Sequence, residues 1–188
     1  MTGEAALRSL RDRPFELLQE LDRRARAAAQ GQPEATATGP EWVGIAFRLG
    51  GEAFLLAREE TREVTGYPAS VTRVPGARGW IRGLANLRGQ LLPIVDLRSF
   101  LGSGNTSIGR TTRVLVASHR EIPAGLVVDE VMGFRRFYES EFSADLPPTL
   151  LRCERYLAGA FKRGTEVWPV FSVRTLLEGP QFLQAAAS

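Results

Sequence analysis

The chain reads as a mainly β protein built from two related halves, and three observations in its 188 residues carry that prediction. Residues 81–101 lie on 157–177 without a gap, at the offset of 76 positions that carries Gly83 onto Gly159. Pro93, Arg98 and Leu101 then fall on Pro169, Arg174 and Leu177, while Leu91, Ile94, Leu97 and Phe100 meet Val167, Val170, Val173 and Leu176. Asp96 meets Ser172, and both residue types cap helix N-termini well. A repeated strand–turn–strand–short-helix unit speaks for duplicated architecture. The second observation is compositional: 19 Gly and 11 Pro, with no long helical stretch after residue 40, favour strands joined by turns. The third is the alternation of Val43, Ile45, Phe47 and Leu49 with Gly44, Ala46 and Arg48, the period of a half-buried strand.

The elements follow in order. Residues 1–31 read as a separate helix, with Asp12 as cap and Pro14 in the first turn, where a missing N–H costs least. Phe15, Leu18, Leu21 and Ala25 recur at helical spacing, and Gly31 can end it. Residues 32–41 are small and polar with flanking prolines, a linker. The body spans 42–179. Its first strand turns at Gly50-Gly51 into a second over 53–57. The polar stretch 59–64 reads as a short irregular or helical connection, broken at Gly66-Tyr67-Pro68, and 71–74 is extended. Residues 81–87 and 90–95 form a hairpin about Arg88-Gly89. Leu91–Val95 is apolar on both faces, as a strand in the wall between two cores must be. Pro93 cannot donate to a ladder, so it marks an edge or a bulge. Asp96 caps a helix over 97–101. After a polar loop at 103–111, strands at 112–117 and 124–128 flank a turn holding His119, and 133–149 reads as irregular. Strands at 157–163 and 166–171 and a helix from Ser172 complete the second half. The tail, 180–188, either adds a last helical turn or frays.

Composition narrows the function. Hydrophobic residues make up 44% and charged residues 24%, with a net charge of +3 and a pI of about 9.6. Acids and bases are interspersed, which is a solvated surface rather than a nucleic-acid footprint. One cysteine, Cys153, permits no internal disulfide and suits a reducing compartment. The Glu/Arg-rich N-terminus does not read as a secretory signal, and no run approaches the roughly 18–20 apolar residues of a membrane span. A cytoplasmic protein without direct membrane insertion is expected. His119 has no nucleophile or base at an interpretable spacing, and reads as an exposed turn residue. No metal-ligand spacing, phosphate loop or dinucleotide fingerprint is present. Neither a catalytic, a cofactor nor a metal site is therefore expected, and the chain does not read as an enzyme.

Two segments carry a resemblance. Ile81-Arg82-Gly83-Leu84-Ala85-Asn86-Leu87-Arg88-Gly89-Gln90, followed by Leu92-Pro93-Ile94-Val95-Asp96-Leu97-Arg98, resembles the signature of the CheW-like chemotaxis adaptor family. Glu63-Val64, Gly66-Tyr67 and 71–75 upstream, and 125–131 downstream, are similar to it as well. The resemblance covers about 42–177. The 11–18 segment resembles the extension carried by the twitching-motility (type IV pilus) adaptors of that family. The resemblance implies two pseudo-symmetric, five-stranded SH3-like β-barrels. It implies a scaffold linking the signalling tips of methyl-accepting chemoreceptors to the regulatory domain of a CheA-type histidine kinase, whose own regulatory domain has this fold and can alternate with the adaptor in rings.

The resemblance also assigns roles. Arg88, on the hairpin tip with Asn86 and Gly89, is the expected contact for receptor and kinase. Val64, Leu87, Val127 and Val128 are candidates for an apolar groove that accepts a receptor helix, with core packing as the alternative for each. Glu63 is a candidate charged rim contact. A basic SH3-like nucleic-acid-binding module is the competing reading. Against it, Trp42, Trp80 and Trp168 sit at apolar positions rather than among the basic residues.

Overall fold

The structure, a computed structural model, describes residues 39–185 apart from 120 and 121. The helix read over 1–31 and the linker up to residue 38 lie outside the described residues.

Among the described residues eleven strands make two sheets. The chain opens with a hairpin of β1 (Glu41–Leu49) and β2 (Glu52–Ala57), then enters β3 (Thr61–Gly66) through one 3-10 turn. A second hairpin, β4 (Ile81–Leu87) and β5 (Gln90–Asp96), leads into the short helix α1 (Leu97–Phe100). Strands β6 (Arg113–His119), β7 (Ile122–Val128), β8 (Glu130–Tyr138) and β9 (Phe142–Ser143) follow. The hairpin β10 (Leu157–Arg163) and β11 (Glu166–Phe171) then leads into α2 (Val173–Glu178) and α3 (Pro180–Leu183). The five-stranded sheet runs β3-β6-β7-β5-β4 and the six-stranded sheet β8-β1-β2-β11-β10-β9.

The two orders superpose strand for strand. Each contains one parallel contact, β5 with β7 and β11 with β2. Strands β3, β6, β7, β5 and β4 therefore correspond to β8, β1, β2, β11 and β10. The second half is a rearranged copy whose last two strands are supplied by the β1–β2 hairpin. The sixth strand has a counterpart too: β9 pairs Ser143 with Ala160, and an isolated bridge pairs Thr72 with Leu84.

The offset of the sequence repeat recurs in the geometry. The register breaks between Ile81 and Gly83, and again between Leu157 and Gly159. Gly83 has φ +143° and Gly159 φ +145°. A Cβ on them would stand 2.2 Å from the Thr72 carbonyl oxygen and 2.5 Å from that of Ser143, so only glycine fits at either bulge. The Asp96 N–H donates to the Trp80 carbonyl at 2.8 Å, and the Ser172 N–H to that of Tyr156 at 2.8 Å. Each side chain then caps its helix, Asp96 accepting from the Ser99 N–H and Ser172 from the Thr175 N–H.

Three cores result. Ala85, Leu92, Ile94, Val114, Val116 and Val127 fill the first half. Ala46, Leu55, Phe137, Phe161 and Val170 fill the second. A larger core between the sheets takes Phe47, Phe54, Val95, Leu115, Val128, Phe171 and Leu176 among others. Strand β5 divides two of them, with Leu92 and Ile94 on one side and Val95 on the other. This accounts for the apolar run from Leu92 to Val95, whereas Leu91 at its start is exposed. Pro93 lies on this interior strand, but the ladder to β7 begins only at Ile94, so its missing N–H falls where one side has no neighbour. The start of the C-terminal tail belongs to the folded body: Phe182 of α3 is buried, 5.6 Å from the Trp80 ring and 5.9 Å from Phe100.

Two segments differ from the sequence reading. Part of 59–64 forms β3, and much of 133–149 forms β8 and β9. Both β3 and β8 are edge-type strands whose positions are mostly half-buried or exposed, so backbone pairing sets them and apolar alternation is weak. Beyond β8, the carboxylate of Glu141 accepts two hydrogen bonds from Arg163, at 2.7 and 2.8 Å, and one from the Tyr138 N–H at 2.7 Å. The Arg163 hydrogen bonds, aided by the Tyr138 N–H and the Arg163 charge, hold its pKa below the ordinary 4.5 against the opposing effect of burial. A depressed carboxylate stabilises the fold above its unfolded pKa, and that contribution is lost as pH falls through the folded value. Glu141→Gln is therefore expected to flatten the acid limb of a melting-temperature profile below about pH 4.5. A limb as steep as that of the unaltered protein would refute this. Among the described residues no helix is long and apolar enough to cross a membrane.

Candidate functional site

The β4–β5 hairpin turns through Arg88 at φ +51° and Gly89 at φ +83°. Two left-handed residues in a two-residue loop are the turn type that matches strand twist. Glycine takes that conformation freely, but an arginine resists it by roughly 1 kcal/mol. Asn86 holds the turn, its Oδ1 accepting from the Gly89 N–H at 2.8 Å. The Arg88 side chain is 82% exposed, and its Nε stands 3.2 Å from Oε1 of Glu63 on β3. Strands β3 and β4 are opposite ends of the five-stranded order, so this ion pair reaches from the tip beside one end strand to the other. At the matching turn of the second half, Gly164-Thr165, only Gly164 has positive φ, and no arginine stands at the tip.

Beside this pair runs a groove between the sheets, about 470 Å3, with β3 on one side and β1 and β8 on the other. Val64 and Phe134 give it an apolar wall, 38% and 60% exposed. Arg58, Arg62 and Glu63 line it with charge, and Ile45 and Val131 contribute further apolar surface. Thr61 Oγ1, also in the lining, is buried without a hydrogen-bond partner among the described residues.

The structure thus brings Glu63, Val64, Asn86, Arg88 and Gly89 together. It does not bring Val127 and Val128 there. Both are fully buried, on opposite faces of β7, Val127 in the first-half core and Val128 in the core between the sheets. They are core residues, because β7 has a neighbouring strand on each side and apolar packing on each face. Leu87 is half-buried and packs on the first-half core rather than into the groove. The residues the sequence reading missed are Phe134 and Arg62. The available signal was a large aromatic at an outward position of β8, hidden because that strand had not been recognised.

The described residues hold little that could do covalent chemistry. His119 closes β6 and is no free turn residue, its Nε2 lying 2.8 Å from Glu178 Oε1. Cys153 is buried, and desolvation pushes its thiol up, away from the reactive thiolate. Asp129 accepts from the Gly50 N–H at 2.7 Å, a structural use. Among the described residues no group of three potential metal ligands is found. The site is an exposed cation, its carboxylate partner and an apolar trough, parts suited to holding another polypeptide.

The CheW-like domain family matches residues 43–181. Protein PilI of Pseudomonas aeruginosa is 40% identical over 173 residues, covering 92% of this chain and 96% of PilI. Protein FrzA of Myxococcus xanthus is 34% identical over 111 residues, 59% of this chain and 67% of FrzA. Chemotaxis protein CheW of Bacillus subtilis is 31% identical over 100 residues, 53% of this chain and 64% of that protein. The fold is similar to that of the scaffolding protein TtCheW from Thermoanaerobacter tengcongensis, with a TM-score of 0.66 and 24% identity over 76% of this chain and 96% of that one.

Proposed function

Because this chain belongs to the CheW-like domain family, we propose that it is a non-catalytic cytoplasmic adaptor coupling methyl-accepting chemoreceptors to a CheA-type histidine kinase. Its extended similarity to PilI supports a place in the control of type IV pilus twitching motility. The observation that carries the reading is the Glu63–Arg88 pair set at the edge of a trough walled by Val64 and Phe134.

In this reading the receptor tip, a helical hairpin, lays one apolar face on Val64 and Phe134. Arg58 and Arg62 meet acidic side chains along its flank. Arg88, held at the tip by Asn86 and Gly89, contacts receptor and kinase carboxylates, with Glu63 keeping the guanidinium oriented until a partner replaces it. Leu87 supports the tip from below. The matching halves give the adaptor two pseudo-equivalent faces, which is what alternation with a kinase domain of the same fold requires.

The test is binding of the full chain to a soluble receptor-tip fragment and to the kinase regulatory domain. Phe134→Ser and Val64→Ser are each expected to weaken the receptor fragment about tenfold, roughly 1.4 kcal/mol, in calorimetric titration. Because both side chains are exposed, melting temperatures should hardly move. Failure of the unaltered protein to bind either partner would refute the proposal. Tight, steeply salt-dependent binding to DNA or RNA would favour the nucleic-acid module instead.

A further inference from the structure

The two halves part company at one matched place. In the first, Arg82 donates to Asp96, its Nε 3.0 Å from Oδ2 and a terminal nitrogen also on that oxygen. The same guanidinium donates to the Thr106 carbonyl at 3.0 Å. Thr106 in turn donates its N–H and its hydroxyl to the Asp96 carboxylate, at 2.9 and 3.0 Å. The loop after α1 thereby folds back and seals the end of the sheet, with Asp96 and Thr106 both buried.

In the second half Arg82 and Asp96 become Ala158 and Ser172, and the chain after α2 departs through Gly179 into α3 instead of folding back. A cavity of about 480 Å3 stands at this place, with Trp42, Phe142, Phe161 and Val170 among its apolar walls. Glu41, Glu60 and Glu139 line it against a single cation, Arg174. The Glu60 carboxylate is fixed there by accepting the N–H groups of Val173 and Arg174, at 2.9 and 3.4 Å. Glu41 is shared with Arg136 at 3.5 Å.

We infer that this cavity is a docking site for a partner polypeptide that presents an arginine beside a large apolar side chain. The first half shows what this corner of the fold accepts: an arginine side chain closing on a carboxylate. The second half has lost both members of that pair, and Glu41, Glu60 and Glu139 line the space instead. An incoming guanidinium finds carboxylate acceptors there and the face of Trp42 to lie against. The apolar neighbour takes the pocket between Phe142, Phe161 and Val170. This cavity shares no lining residue with the receptor trough and does not include Arg88, and its test does not depend on either.

The experiment titrates the full chain with acetyl-Leu-Arg-amide and acetyl-Leu-Glu-amide, following the Trp42 indole N–H by NMR. The arginine probe is expected to give a saturable shift, with the glutamate probe at least about tenfold weaker. Ala158→Arg combined with Ser172→Asp rebuilds the first half's plug, and should abolish the shift while circular dichroism stays unchanged. Should that variant fail to fold, Glu139→Gln, at an exposed lining position, should still weaken the arginine probe severalfold. An absent or non-saturating shift, equal response to both probes, or a shift undiminished in folded variants would overturn the inference. A dimer that becomes monomeric when the plug is introduced would assign the cavity to a second copy of the chain, and overturn it equally.

Discussion

Arg88→Gly is expected to separate coupling from stability: affinity for the receptor tip and the kinase regulatory domain falls by ten- to a hundredfold, about 1.4–2.8 kcal/mol, while the melting temperature holds or rises slightly. The argument rests on two opposing terms. The Glu63–Arg88 pair joins a part-exposed carboxylate to a guanidinium that is 82% exposed, so its loss costs well under 1 kcal/mol. Glycine at φ +51° relieves a backbone penalty of roughly 1 kcal/mol. An arginine thus stands where glycine would fold at least as well, which is what the proposed contact role predicts. Arg88→Ala should lose the same affinity without the backbone relief. Calorimetric titration and thermal melts of the two variants measure both halves of the claim. A variant that binds normally, or one that unfolds in step with its lost binding, would defeat it.

Asp96→Ala carries the largest expected loss of stability, about 3 kcal/mol, whereas Ser172→Ala at the matching position should cost about 1 kcal/mol. Asp96 caps α1, as Ser172 caps α2, but it also receives Arg82 and both donors of Thr106. Removing it leaves Arg82 without its carboxylate, holding only the Thr106 carbonyl, and strands both buried donors of Thr106. Arg82 keeps about a third of its side chain in water, which sets the figure at the low end of what a broken buried ion pair costs. The melting temperature should fall by roughly 6–12 °C. Arg82→Met in the Asp96→Ala background should recover part of that loss, since the stranded charge is then gone. Equal losses at Asp96 and Ser172 would show that the extra partners contribute nothing.

Much of this molecule is legible in its sequence because the repeated unit carries backbone constraints. Gly83 and Gly159 occupy matched bulges, Pro93 and Pro169 matched gaps in the ladder, and Asp96 and Ser172 matched caps. Residues with such narrow tolerances leave a mark that no substitution of one apolar side chain for another erases. The tip was legible for the same reason, since Asn86 and Gly89 are turn chemistry. The trough was not. Its walls come from β3 and β8, strands fixed by pairing to β6 and β1 and carrying little alternation of their own. Val127 and Val128 show the converse. An apolar pair in a strand between two cores reads like an apolar pair facing a groove, because both are simply hydrophobic until the neighbouring strands are placed. The repeat also stops at α1 and α2 for a topological reason: the counterparts of β6 and β7 stand at β1 and β2, not after β11.

That rearrangement sets an order of events during synthesis. Strands β3 to β7 form one continuous segment that supplies the whole five-stranded sheet. The β1–β2 hairpin is made earlier, yet its neighbours in the sheet are β8 and β11. At roughly 5–20 residues per second, it must wait some 5–20 seconds for β11 to be made. During that interval Phe47, Phe54 and Leu56 have no final packing partners from the second half. The oldest hairpin therefore waits longest for its full set of strand neighbours, and until then only first-half residues such as Leu115 and Val128 of their shared core are available to it.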